Sequence, residues 1–94
     1  MILIDEQSRP LLARGVRLRN DPITGEPVLL YPEGLLPLDE TTNEIIIRCS
    51  GESTVESIIL SLAQEYEMDL ATVREDVCEC LGQLRAQMLI AFAK

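Results

Sequence analysis

The chain has 94 residues and a net charge of −8, and 47% of it is hydrophobic while only 3% is aromatic. That length suits one domain with one modest core of Leu, Ile, Val and Ala, in which roughly 60–65% of the unfolded chain's surface is buried, and leaves no room for a second folded unit. The longest uninterrupted apolar run, Met88 to Ala93, falls far short of the ~18 residues that cross a bilayer, and acidic Asp5 and Glu6 stand where a signal peptide would be basic; a cytoplasmic protein without membrane association is expected.

In chain order, residues 1–10 hold no lasting period and end at Pro10, so they are expected to form a flexible or exchanged arm with a sticky Met1-Ile2-Leu3-Ile4 start, ahead of a single domain over 11–94. From Val16 the pattern alternates, with Val16 and Leu18 on one face of a strand and Arg17 and Arg19 on the other. Asp21-Pro22 and Thr24-Gly25 mark a turn, Val28 to Tyr31 has strand length, and Pro32-Glu33-Gly34 turns the chain into a third strand, Leu35 to Leu38. Helices follow. Asp39 or Thr41 caps the first, with Glu44 as capping-box partner, and Ser50-Gly51 stops it. Ser53 with Glu56 opens the second, on which Ile58, Ile59, Leu62, Ala63 and Tyr66 recur at helical spacing. Asp69 or Thr72 opens the third, with Val73, Val77, Leu81, Leu84 and Met88 on one stripe, and Leu89 to Phe92 closes the chain as an apolar tail. Three short antiparallel strands followed by three helices predict a winged-helix-like α+β domain.

The stretch Leu12-Ala13-Arg14-Gly15-Val16-Arg17-Leu18-Arg19, then Val28-Leu29-Leu30-Tyr31-Pro32-Glu33-Gly34, then Leu38-Asp39-Glu40-Thr41 resembles the PqqD pattern, the peptide-chaperone family of pyrroloquinoline quinone biosynthesis. Glu44-Ile45-Ile46, Cys49-Ser50-Gly51, Thr54-Val55, and Asp76-Val77 with Leu81 and Leu84 are similar to its later sections, so the likeness spans nearly the whole chain. The resemblance implies a leader-peptide recognition element without a cofactor. Such a domain binds the N-terminal part of a ribosomally made precursor peptide and holds it for a radical S-adenosylmethionine enzyme. It further implies that the leader adds as a strand beside Leu35, Leu36, Pro37 and Leu38, against the third helix.

Strand addition needs an exposed edge beside an apolar groove. Pro37 lacks an N–H and is tolerated only where no ladder donor is required, which marks its strand as an edge or its own position as the strand's end; Leu36 and Leu38 are expected to turn their main-chain groups to the leader. On the third helix Arg74, Cys78, Leu81 and Arg85 fall at spacings of 4, 3 and 4, a mixed apolar and basic stripe suited to a peptide groove, where either arginine could reach a leader carboxylate. Surface pairing of both arginines with Glu75, Asp76 or Glu79 is the plainer alternative. For the enzyme's docking surface, the acidic second helix with Glu52, Glu56, Glu65 and Glu67 is the expectation.

Other chemistries fit less well. Cys78 and Cys80 point about 200° apart on a helix and cannot chelate together, and the chain has no histidine, so no metal is expected and Cys49, Cys78 and Cys80 read as reduced thiols. No carboxylate pair lies in an apolar setting that would raise a pKa, so no catalytic residue is assigned. Between Asp69 and Glu79 one arginine faces four acids, which argues against a nucleic-acid recognition helix. Glu56-Ser57-Ile58 faintly matches an acyl-carrier attachment site, but carriers are all-helical. The competing readings are a recognition element of another modified-peptide pathway and a self-pairing domain, in which an open strand edge and the N-terminal arm favour a homodimer.

Overall fold

A computed structural model describes residues 4–93. Its α+β, winged-helix-like fold holds five strands in two antiparallel sheets and three helices among those residues. β1 (Arg9–Leu12) pairs with β5 (Ile90–Ala93), and β2 (Arg17–Asn20), β3 (Pro27–Tyr31) and β4 (Gly34–Pro37) form a meander with β3 in the middle. α1 (Glu40–Ile46), α2 (Val55–Glu65) and α3 (Leu70–Ala86) follow.

The meander has the turns its residues call for. The Asp21 carboxylate accepts from the N–H of Ile23 at 2.8 Å and of Thr24 at 3.3 Å, and Gly25 takes a left-handed φ of 77°, which glycine adopts without steric cost. Register puts Leu18, Leu29 and Leu36 in one cross-strand row and Arg17, Leu30 and Leu35 in another. Successive strand residues face opposite ways, so the first row meets the core and the second faces outward. Leu29 is fully buried, and around it the core gathers Ile45, Val55, Ile58, Ile59, Val77 and Leu81 from all three helices.

Each helix opens on an oxygen that accepts a first-turn amide. Asp39 accepts from Thr42 at 2.7 Å, Thr54 from Ser57 at 3.1 Å, and Asp69 from Thr72 at 3.2 Å. The expected Ser53–Glu56 capping box is therefore corrected to a Thr54 cap, because the N–H of Glu56 is already taken by the carbonyl of Glu6 at 2.9 Å. Thr41 lies inside α1, whose cap is Asp39.

The strand count is also corrected. Two strands beyond the expected three come from the chain ends: β1 begins within the segment read as an arm, and the expected apolar tail is β5. Residues 4–10 lie against the domain here. Ile4 packs on the core and Pro10 is fully buried. The carbonyls of Ser8 and Pro10 accept from Val55 and Gly51, both at 2.9 Å. The Val55 bond satisfies an amide that the start of α2 would otherwise leave open, and the Gly51 bond ties down the loop before it. Met1, Ile2 and Leu3 of the expected sticky start lie outside the described residues.

Both long helices end without glycine. Beyond α3, Met88 takes φ 61° while its N–H reaches Arg85 and that of Leu89 reaches Leu84, both at 2.9 Å. Glu67, at φ 51°, ends α2 in the same way, with Met68 bonded back to Ala63 at 3.0 Å. This is the Schellman arrangement. It also removes Met88 from the core stripe expected of α3, for its side chain is 81% exposed.

Candidate functional site: an open strand edge over a groove

β4 is bonded on one side only. The N–H of Leu38 donates to the carbonyl of Pro27 at 3.0 Å, and main-chain direction alternates along an antiparallel strand; Leu38, Leu36 and Gly34 therefore point their amides and carbonyls at β3. The free edge presents the N–H and C=O of Leu35 and the C=O of Pro37. This reverses the expectation that the main-chain groups of Leu36 and Leu38 face a bound peptide. The proline sits where β3 asks nothing of it, since it lies opposite Val28 at a non-bonded position.

Side chains divide the other way. Leu36, half-buried, and Leu38, buried, turn inward, whereas Leu35 is 49% exposed on the outer face and Pro37 is exposed. Beside the inner pair runs a groove of about 180 Å³ whose β4 side is Leu36, Pro37, Leu38 and Asp39 and whose helical side is Thr42, Cys80, Gln83, Leu84 and Gln87. Leu36, Leu38 and Leu84 give it an apolar side, and Asp39, Thr42 and the two glutamines bring a carboxylate, a hydroxyl and amide groups to its rim. Burial pushes the Cys80 thiol up, with the Thr42 hydrogen bond acting against it, so the groove holds a neutral thiol and no activated nucleophile. Burial likewise raises Cys78, and takes Cys49 up to about 12, where its Sγ donates to the carbonyl of Ile45 at 3.3 Å.

The expected stripe of α3 does not join this groove. Leu81 is fully buried in the core. Arg74 donates from Nε to both carboxylate oxygens of Glu6, at 3.0 and 3.2 Å, and so pairs with the N-terminal segment rather than with Glu75, Asp76 or Glu79. Arg85 lies over the ring of Phe92, 5.4 Å from its centroid, a cation–π contact that ties α3 to β5. Cys78 is half-buried near Glu6, whose charge contributes to its raised pKa. At 3.6 residues per turn, the side facing β4 (Cys80, Gln83, Leu84, Gln87) lies roughly 140° around the helix from the Arg74–Arg85 stripe. Sequence reasoning missed Cys80, Gln83 and Gln87 because no periodic signal marks a helix flank of small and polar residues. The acidic set divides too. Glu52 and Glu56 sit at the start of α2, Glu65 and Glu67 at its end, about 15 Å away at 1.5 Å per residue.

Among the described residues no group of three or more His, Cys, Asp or Glu side chains could hold a metal ion, and no described helix is long and apolar enough to cross a membrane.

The family model described as coenzyme PQQ synthesis protein D (PqqD) matches residues 26–90. The chain belongs to the PqqD family. Among relatives of this family, the PqqA binding protein of Rhodopseudomonas palustris (strain HaA2) is 40% identical over 83 residues, covering 88% of this chain and 81% of that protein. That of Xanthomonas oryzae pv. oryzae is 34% identical over 90 residues, covering 96% and 98%. The solution structure of the PqqD truncation of Methylobacterium extorquens PqqCD, a stand-alone recognition element for ribosomally synthesised and post-translationally modified peptides, superposes with a TM-score of 0.80 at 31% identity, covering 95% of each chain. PqqD from Xanthomonas campestris gives 0.56 at 32% identity, covering 93% of this chain and 98% of that one. These solved PqqD structures share the α+β fold, and the family to which this chain belongs is one of peptide-binding, recognition proteins.

Proposed function

We propose that this chain is a non-catalytic peptide chaperone that binds the leader of a ribosomally made precursor peptide as a fourth strand on β4 and presents it to a radical S-adenosylmethionine enzyme. The observation that carries the reading is the unpaired β4 edge lying directly beside a groove on α3 with an apolar side of Leu36, Leu38 and Leu84. An added strand would exchange two main-chain hydrogen bonds with Leu35 and donate one to Pro37, while its alternate side chains enter the groove at Leu36, Leu38 and Leu84. Pro37 returns no donor, so selectivity rests more on the side chains in the groove than on the ladder.

The relatives support the ligand class. Two are named for binding PqqA, and the Methylobacterium homologue is a peptide recognition element. Arg74 and Arg85 act in this reading from behind, by holding the N-terminal segment and β5 against α3, and Cys78 and Leu81 by packing the helix against the core. The test is isothermal titration with a synthetic pyrroloquinoline quinone precursor peptide, whole and then lacking its N-terminal half. Low-micromolar or tighter binding that truncation abolishes is expected. Absence of binding by the folded protein would point to another modified-peptide pathway or to self-pairing of the β4 edge.

A further inference from the structure

A second concavity, of about 250 Å³, opens where α1, α2 and the first half of α3 meet. It shares no lining residue with the groove beside β4. Its floor is Ile45, Leu62, Val73 and Val77, which are buried. Tyr66 and Met68 stand at its mouth, 45% and 47% exposed. The left-handed turn at Glu67 brings these two onto the same wall. A tyrosine and a methionine half in water beside an apolar floor are residue types that protein interfaces favour, one for its rigid amphipathic ring and the other for its adaptable thioether.

The rim is predominantly acidic. Glu40, Glu44 and Asp76 line it, and Glu65, Glu67 and Asp69 flank Tyr66 and Met68 along the chain. One cation stands among them: Arg48, bonded to Glu44 at 2.9 Å and also to Glu65. Glu40 and Asp76 have no ion pair among the described residues. The phenol of Tyr66 is held above its ordinary value, by desolvation and then by Glu44 and Glu65, as expected where carboxylates converge.

We infer that this groove docks a lysine- or arginine-rich segment of a partner protein, which inserts a bulky aliphatic side chain between Tyr66 and Met68 while its cations meet Glu40 and Asp76. The other occupants fit poorly. Nucleic acid and anionic lipid are repelled by the rim, two copies meeting through this face would set like charges together, and the space is smaller than the ~300–1,000 Å³ of typical small-molecule sites. Apolar anchoring supplies the affinity and the rim supplies orientation and a fast encounter. The surface shares no lining residue with the proposed leader site, although the two meet along the first turn of α1, where Asp39 and Thr42 line one and Glu40 and Thr41 the other.

The test is an amide-shift titration of the whole ¹⁵N-labelled chain with the synthetic peptide acetyl-Lys-Lys-Leu-Leu-Lys-Lys-amide, with glycines replacing the leucines in one control and glutamates replacing the lysines in another. Saturable shifts are expected at Ile45, Tyr66, Met68 and Val77 with the leucine–lysine peptide and not with the glutamate control. The glycine control should bind about tenfold more weakly, as should the leucine–lysine peptide to the Glu40→Lys/Asp76→Lys double variant. Equal binding of the glycine control, shifts centred elsewhere on the acidic surface, or no saturable binding would each overturn the inference. The precursor-peptide titration reads the other groove, so failure of one proposal is separable from failure of the other.

Discussion

Leu36 and Leu35 are neighbours with opposite duties. Leu36 packs inward and lines the β4 groove, whereas Leu35 faces water on the outer side of the sheet. Leu36→Asp should weaken binding of the precursor peptide by ~2 kcal/mol or more, because it removes the apolar contact beside Leu38 and Leu84 and sets a second carboxylate near that of Asp39. Calorimetry measures that loss, and circular dichroism checks that the variant remains folded. Unchanged affinity would show that the peptide does not use this groove. The cysteines divide by burial. Cys49, pushed up to about 12, should remain unmodified by iodoacetamide at pH 8 while Cys78 and Cys80, raised but only half-buried, react slowly; peptide mass spectrometry with and without urea reads the order, and urea should expose Cys49. Spacing could show that Cys78 and Cys80 point to different sides of one helix. Which thiol is deepest depends on how α1 lies on α3, which spacing does not encode.

At the scale of elements, the helix starts were more legible than the helix ends. Asp39 or Thr41 and Asp69 or Thr72 mark the starts of α1 and α3 as short acceptors ahead of apolar periodicity, whereas Met88 and Glu67 occupy left-handed positions where sequence would lead one to look for glycine. Met88→Gly and Glu67→Gly should each raise stability by about 1 kcal/mol, since a side chain at positive φ costs roughly that much; urea unfolding measures it, and a lower midpoint would mean that those side chains pack. The Asp39 cap gives a pH dependence. Its carboxyl is held below the ordinary range of about 3.9 by hydrogen bonds from the backbone N–H and side chain of Thr42. A depressed folded-state pKa adds stability that is fully present above the unfolded value and is lost as pH falls through the folded one. Asp39→Ala should therefore cost about 1 kcal/mol near neutrality and progressively less below pH ~4, seen as thermal melts that converge in acid. The β4 edge was legible from Pro37, but the direction of its free groups was not. Register depends on which residue bonds β3, and shifting the pairing by one exchanges the two sets.

Across the whole molecule, the two chain ends close the structure on each other. β1 on β5, the Glu6–Arg74 pair, and the carbonyls of Glu6, Ser8 and Pro10 on the α1–α2 loop and the start of α2 all bind the first described residues to the domain. Deleting residues 1–8 should lower unfolding stability by about 1–2 kcal/mol, through amides of Val55 and Glu56 left to water and an unpaired Arg74, while binding at β4 persists. Denaturant titration of both forms checks this, and equal stability would show that the segment only rests on the surface. The α+β order, the single core, the meander and the approximate helix starts were determined by sequence alone, because turn residues, caps and hydrophobic period act within a few positions of one another; the cap itself was left open between Asp39 and Thr41 and between Asp69 and Thr72, and at α2 it is Thr54 rather than Ser53. Tertiary structure alone decided the β1–β5 pairing, the side of α3 that meets β4, and the gathering of Glu40, Tyr66 and Asp76 around one groove. Each joins residues far apart in the chain, and such a choice follows from how elements pack rather than from any local preference along the chain.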